Sequence, residues 1–180
     1  DDVVVLESPE PDAAERFRFT FPRQDRGRFL CIADFVRSRD LARETGVVDV
    51  LPMNLVTMGQ PIADFANELF KADAYRDYLE VHGIGVQLTE ALAEYWHRRV
   101  REELVMPSGR SLVDQDPSDV EGYFKLEYRG ARYSFGYGAC PDLEDRVKLV
   151  AMLEPQRIGV DLSDELQLHP EQSTDAFVLH

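Results

Sequence analysis

The chain has 180 residues, 44% of them hydrophobic and 30% charged, which fits one globular domain with an ordinary core and excludes disorder over most of its length. Its 34 acidic and 20 basic side chains leave a formal net charge of −14; this opposes binding to nucleic acid or anionic lipid, because no large basic surface is available to release counterions. No apolar run approaches the roughly 20 residues of a membrane helix, and the Asp-Asp start lacks the basic-then-apolar order of a signal peptide, so a cytoplasmic protein is expected.

The first elements read as antiparallel β-structure. Val3 to Leu6 is a short apolar run, and Ser8 to Asp12 supplies turn chemistry. Phe17, Phe19 and Phe21 alternate with polar residues, which puts their rings on one face of a strand. Phe29 to Ala33 is apolar at both parities and predicts a fully buried strand, ended by Asp34. Residues 37–46 predict a short helix or loop closed by Gly46, and Val47 to Thr57 predicts another buried strand. Pro61 suits a helical first turn, and Ile62, Phe65, Ala66 and Leu69 follow at helical spacing.

Ile84, Leu88, Leu92, Trp96, Val100 and Leu104 recur every four residues, the apolar stripe of a long amphipathic helix over residues 86–105. Gly83 and Gly85 weaken its start, and Pro107 to Gly109 end it. Ser118-Asp119-Val120-Glu121 matches a capping box before a short helix, and Asp142 can cap a helix carrying Leu143, Val147, Val150 and Leu153. Ala176 to Leu179 predicts a final strand. The fold class is α+β: a twisted, largely antiparallel β-sheet packed by helices.

Cys31 and Cys140 are isolated thiols with apolar or small neighbours, expected reduced and buried. The histidines at 82, 97, 169 and 180 show no metal-ligand spacing, so no metal site is expected. The informative segment is Arg132 to Pro141. It holds three aromatics, an arginine with a fork of donors suited to a carboxylate, and Gly136 and Gly138, which let a ligand approach the main chain. On these residues alone it is either a ligand loop or a structural loop packing its own rings.

Four ordered blocks carry a resemblance. Arg132-x-x-x-Gly136-Tyr137 followed by Ala139-Cys140-Pro141 resembles the S-adenosylmethionine-binding signature of the reactivation domain of cobalamin-dependent methionine synthases. Cys31 to Val36 resembles that family's C-L-A-D-F-V segment, Leu88 to Arg101 its long helix, and Phe177 to His180 its W-Y-F-S-H segment. The match spans essentially the whole chain.

The resemblance implies a single domain over residues 1–180 that binds S-adenosylmethionine as methyl donor for reductive methylation of inactive cob(II)alamin to methylcobalamin. By the same carry-over, Arg132 pairs with the ligand's carboxylate, Asp34 with its ammonium, and Glu90 supports the positive end. Gly136, Tyr137 and Ala139 bring main chain to the adenine edge. No catalytic residue is expected, since the domain orients a methyl group toward cobalamin held by another domain of the parent methyltransferase. By resemblance the 180 residues lack an upstream helical segment and a K-Y-F/Y tail, which bears on ligand affinity. Arg98, Arg99 and Arg101 form the one basic cluster, either a solvated face with i, i+4 partners or a docking site for a flavodoxin-like electron donor. A stand-alone reactivase and a docking module without ligand are the alternative readings.

Overall fold

A computed structural model describes residues 1–106 and 108–180, so Pro107, expected to help end the long helix, lies outside the described residues. In chain order the elements are β1 (Asp2–Leu6), β2 (Glu15–Thr20), α1 (Arg39–Thr45), β3 (Met53–Thr57), α2 (Gln60–Lys71) and α3 (Tyr75–Glu103). There follow α4 (Val120–Phe124), β4 (Ala131–Tyr133), α5 (Asp145–Leu153), β5 (Asp161–Leu162), β6 (Leu168–His169) and β7 (Ser173–Leu179). The class is α+β with every pairing antiparallel. The strands form a β1–β2 hairpin, a three-stranded sheet ordered β3-β7-β4 and a β5–β6 ribbon.

The alternation at Phe17, Phe19 and Phe21 packs the core as the period of two requires. Phe19, Phe21 and Phe135 surround Phe177 of β7, with the Phe19 and Phe177 rings edge to face at 4.9 Å and Phe135 at 5.1 Å. Cys31, Cys140, Leu149 and Leu179 complete this cluster. Burial, with Asp145 and Asp175 nearby, pushes the Cys140 thiol up to about 12, so it stays protonated and inert.

Two expected strands are revised. Phe29 is exposed and left-handed (φ 54°), and Ile32–Phe35 is a 3-10 turn. The local cause is Asp34, whose carboxylate accepts from the Cys31 N–H at 2.8 Å and bends the chain. Cys31 and Ile32 are buried as single side chains from that turn. Of the run 47–57, only Met53–Thr57 pairs as a strand.

Helix ends follow ordinary chemistry. Ser38 caps α1 and left-handed Gly46 closes it, while Pro61 sits in the first turn of α2. The cap of α4 is Asp119, one residue after Ser118, accepting from the Gly122 N–H at 2.8 Å. The long helix α3 begins well upstream of residue 86 and runs through both Gly83 and Gly85. Its buried stripe is Gly85, Thr89, Ala93, His97 and Arg101. The apolar stripe lies beside this buried one: Ile84, Leu88 and Trp96 are 60%, 51% and 47% exposed, while Leu92, Val100 and Leu104 are half-buried. At Gly85 the helix packs tightly, and a Cβ there would meet Gln172 Cγ at 3.0 Å.

Candidate functional site

A cleft of about 1100 Å³ opens where the N-terminal half of α2, α3, the β4 segment with its following turn, and the β5–β7 region meet. Four of the expected site residues line it: Glu90, Arg132, Tyr137 and Ala139. The turn that carries the last two is closed by Gly136 N–H to Cys140 C=O and Cys140 N–H to Tyr137 C=O, both at 2.8 Å. Gly136 sits at φ +87°, a conformation closed to most side chains, so the turn requires glycine there. It shapes the loop without lining the cleft, and Tyr137 is left 72% exposed at the rim.

Arg132 projects from β4 and is held from one side. Its Nη1 donates to Glu94 Oε2 at 2.5 Å and lies 3.5 Å from His97 Nδ1, while Nη2 is 3.7 Å from Glu90. Glu94 is the residue sequence reasoning missed; its signal was the i, i+4 spacing from Glu90 on one helix face. The same Glu94 oxygen accepts from the Tyr128 hydroxyl at 2.8 Å. Burial and that carboxylate push the Tyr128 hydroxyl up to about 12.

Behind this pair lies a buried polar network. Arg101 is wholly buried, forks onto Asp116 at 2.9 and 2.8 Å, and stacks 4.2 Å over the Tyr128 ring. Its expected place in an exposed docking cluster is therefore corrected: only Arg98 and Arg99 are exposed, and both lie against Glu102. His97 is fully buried, and desolvation together with Arg101 and Arg132 holds its pKa down to about 3, so the ring is neutral.

Asp34 stands apart from the cleft lining. Arg23 grips both its oxygens at 2.7 and 2.6 Å, and with the Cys31 N–H this holds its carboxyl down to about 2. Acidic groups that do line the cleft are Asp64, Glu90, Glu165 and Glu171. On the floor, Arg146 donates to Asp175 at 2.8 Å and to the Leu166 carbonyl at 2.6 Å; burial nonetheless raises the Asp175 carboxyl above its ordinary value. Among the described residues no cluster of histidine, cysteine and carboxylate side chains could hold a metal ion, and no helix is long and apolar enough to cross a membrane.

The chemistry available is recognition. A guanidinium with one edge anchored can offer the other to a carboxylate, acidic side chains can meet a cation, and an exposed tyrosine can stack on a planar ring. Fold and cleft together describe an α+β domain with an arginine-walled, acid-rimmed cleft. The family described as "Vitamin B12 dependent methionine synthase, activation domain" matches residues 1–180, and the chain belongs to it.

Similar proteins agree. The methionine synthase of Mycobacterium tuberculosis is 75% identical over 179 residues, and that of Mycobacterium leprae 73%, in each case over 99% of this chain. The chain spans 15% of the length of both relatives. A crystal structure of the MetH reactivation domain bound to AdoHcy superposes with a TM-score of 0.83 at 22% identity, over 99% of this chain and 53% of that one. At that identity the likeness establishes the fold.

Proposed function

We propose that the cleft binds S-adenosylmethionine and that the domain presents its methyl group for reactivation of the cobalamin cofactor of a methionine synthase. The observation that carries this reading is the convergence of Arg132, Glu90, Tyr137 and Ala139 on one large cleft in a chain of the activation-domain family. The fold likeness to a reactivation domain bound to AdoHcy, the demethylated form of the same molecule, supports it.

The residues fit the ligand's chemistry. Arg132, aimed by Glu94, takes the α-carboxylate through the edge of its guanidinium that Glu94 does not occupy. Glu90 favours the cationic end, and the exposed ring of Tyr137 with the main chain at Ala139 receives the adenine. Asp34 joins the ammonium only by exchanging its Arg23 partner, so it acts second to Glu90.

Cobalamin, held by another domain of the parent enzyme, would supply the methyl-accepting centre, and a flavodoxin-like donor would supply the one electron that reactivation requires. This chain's part is to orient the sulfonium and keep its charge compensated; no side chain need act as nucleophile or proton carrier. Arg98 and Arg99 are exposed cations that an acidic donor could meet, and the two free, buried cysteines suit a reducing cytoplasm.

Calorimetric titration of S-adenosylmethionine into the protein and its Arg132→Ala variant tests the reading. We expect saturable binding that the substitution weakens by about 1.5–3 kcal/mol, the contribution of a hydrogen bond to a charged group. Binding indifferent to Arg132 removes the proposal, as does absence of binding both in this chain and in one extended to carry the C-terminal tail.

A further inference from the structure

Away from the cleft, β3 forms one edge of the β3-β7-β4 sheet. The Val178 N–H donates to Pro52 and the Met58 N–H to Gln172, so the even-numbered positions of β3 carry the ladder to β7. The peptide groups of Met53 and Leu55 therefore point away from β7, and neither has a backbone partner among the described residues. Beside that edge lies a cavity of about 210 Å³, whose lining includes Trp96 of α3 together with Arg157 and Ile158. Trp96 is 47% exposed and Ile158 52%.

Asn54 supplies a second, independent sign. It borders the same cavity, and both its amide atoms, Nδ2 and Oδ1, are shielded from solvent without a hydrogen-bond partner among the described residues. A primary amide offers one donor group and one acceptor, the complement of a peptide group, which presents both together. An unpaired strand edge, a slot for one large side chain and an unsatisfied amide are the three things an added β-strand would use.

We propose that the outer edge of β3 is a docking groove for an extended segment of the same polypeptide lying outside these 180 residues. The segment pairs its main chain with Met53 and Leu55, satisfies the Asn54 amide with a peptide group, and seats an apolar side chain between Trp96 and Ile158. The occupant is in cis because the chain is 15% of the length of its Mycobacterium relatives, and a tethered segment reaches an effective concentration no free partner matches. A second copy is disfavoured, since two surfaces of net charge −14 repel. An uncovered edge of this kind would also invite aggregation, which a tethered strand prevents.

The test uses the full-length polypeptide with Ile158, and in a second variant Arg157, replaced by the photo-crosslinker p-benzoylphenylalanine. After irradiation the products are sized, digested and mapped by mass spectrometry. The expected result is a product of monomer mass linking position 158 to one contiguous segment outside residues 1–180. Hydrogen exchange of the Met53 and Leu55 amides in the unlabelled protein should be slowed at least about tenfold relative to an exposed strand edge. A dimer-mass product assigns the groove to a second copy and overturns the proposal. Links confined to the 180 residues from both probes, with fast exchange at Met53 and Leu55, show an open edge and overturn it equally. Neither readout involves ligand in the Arg132 cleft, so its outcome is separate from that of the titration.

Discussion

The two faces of the β3-β7-β4 sheet are closed by opposite means. On one, Phe177 meets the rings of Phe19, Phe21 and Phe135, and burial of apolar area dominates, with the Arg146–Asp175 pair set beside it. On the other, α3 presents Gly85, Thr89, Ala93, His97 and Arg101, a stripe that grows from no side chain to the longest cation as the helix runs toward its C-terminus. The first face tolerates any apolar filling of the right volume. The second holds only if each buried polar group keeps its partner, and it is this second face that aims Arg132.

The largest effects should separate the faces most cleanly. Arg101→Met leaves Asp116 buried without its cation and should cost about 3–5 kcal/mol in urea unfolding; Phe177→Ala should cost a similar ~3–5 kcal/mol through its cavity. The difference lies in rescue. Adding Asp116→Leu to Arg101→Met should recover most of the loss, because the unpaired charge goes with it. A double variant no more stable than the single one would contradict the distinction.

Acid comes next. Buried His97, facing Arg101, Arg132, His180 and Asp116, is held neutral with its pKa down to about 3. The unfolded ring takes a proton below about 6.5, so this stability is present above that pH and is lost as pH falls toward the folded value. Between pH 7 and 5 the protein should lose about 2 kcal/mol that a His97→Gln variant does not lose, measured by denaturant unfolding at each pH. Equal slopes for the two proteins would show that His97 does not carry the effect.

Two glycines of α3 should then respond differently to an added methyl. An added methyl at Gly83 meets nothing within 4 Å, so Gly83→Ala should stabilise by up to about 1 kcal/mol through helix propensity. At Gly85 the same methyl presses on Gln172 at 3.0 Å, and that gain should be cancelled or reversed. Smallest of all, reversing Arg98 and Arg99, both exposed beside Glu102, should change stability by under about 0.5 kcal/mol. Unchanged reduction by a flavodoxin in that variant would remove the electron-donor docking reading.

Where one face of an element is apolar and the other wet, the sequence was legible. Phe17, Phe19 and Phe21 were placed correctly by alternation and α2 by Pro61 and its spacing, while for 37–46 the closure at Gly46 was legible and the choice between helix and loop was not. It misled at α3, because periodicity reports which side is apolar and not which side is covered; the buried stripe contains glycine, threonine, histidine and arginine. At Phe29 to Ala33 the apolar run masked a turn set by one hydrogen bond from Cys31 to Asp34. The segment Arg132 to Pro141 stood out by its glycines and rings as either a ligand loop or a structural one, but Glu94 stands a long way upstream in sequence, and only the fold brings it to Arg132.

Strand β7 threads through every part of the site. It lies between β3 and β4, gives Phe177 to the aromatic cluster and Asp175 to Arg146, and lays Ser173 and Thr174 along the cleft. Amides in a central strand exchange with solvent only when the whole domain opens. The cleft floor should thus exchange slowly with the core of the sheet, while the Tyr137 rim belongs to a surface turn. A ligand arriving there meets a fixed bed and an adjustable lip, and its capture should leave deuterium uptake along β7 almost unaltered while slowing it in the turn around Gly136.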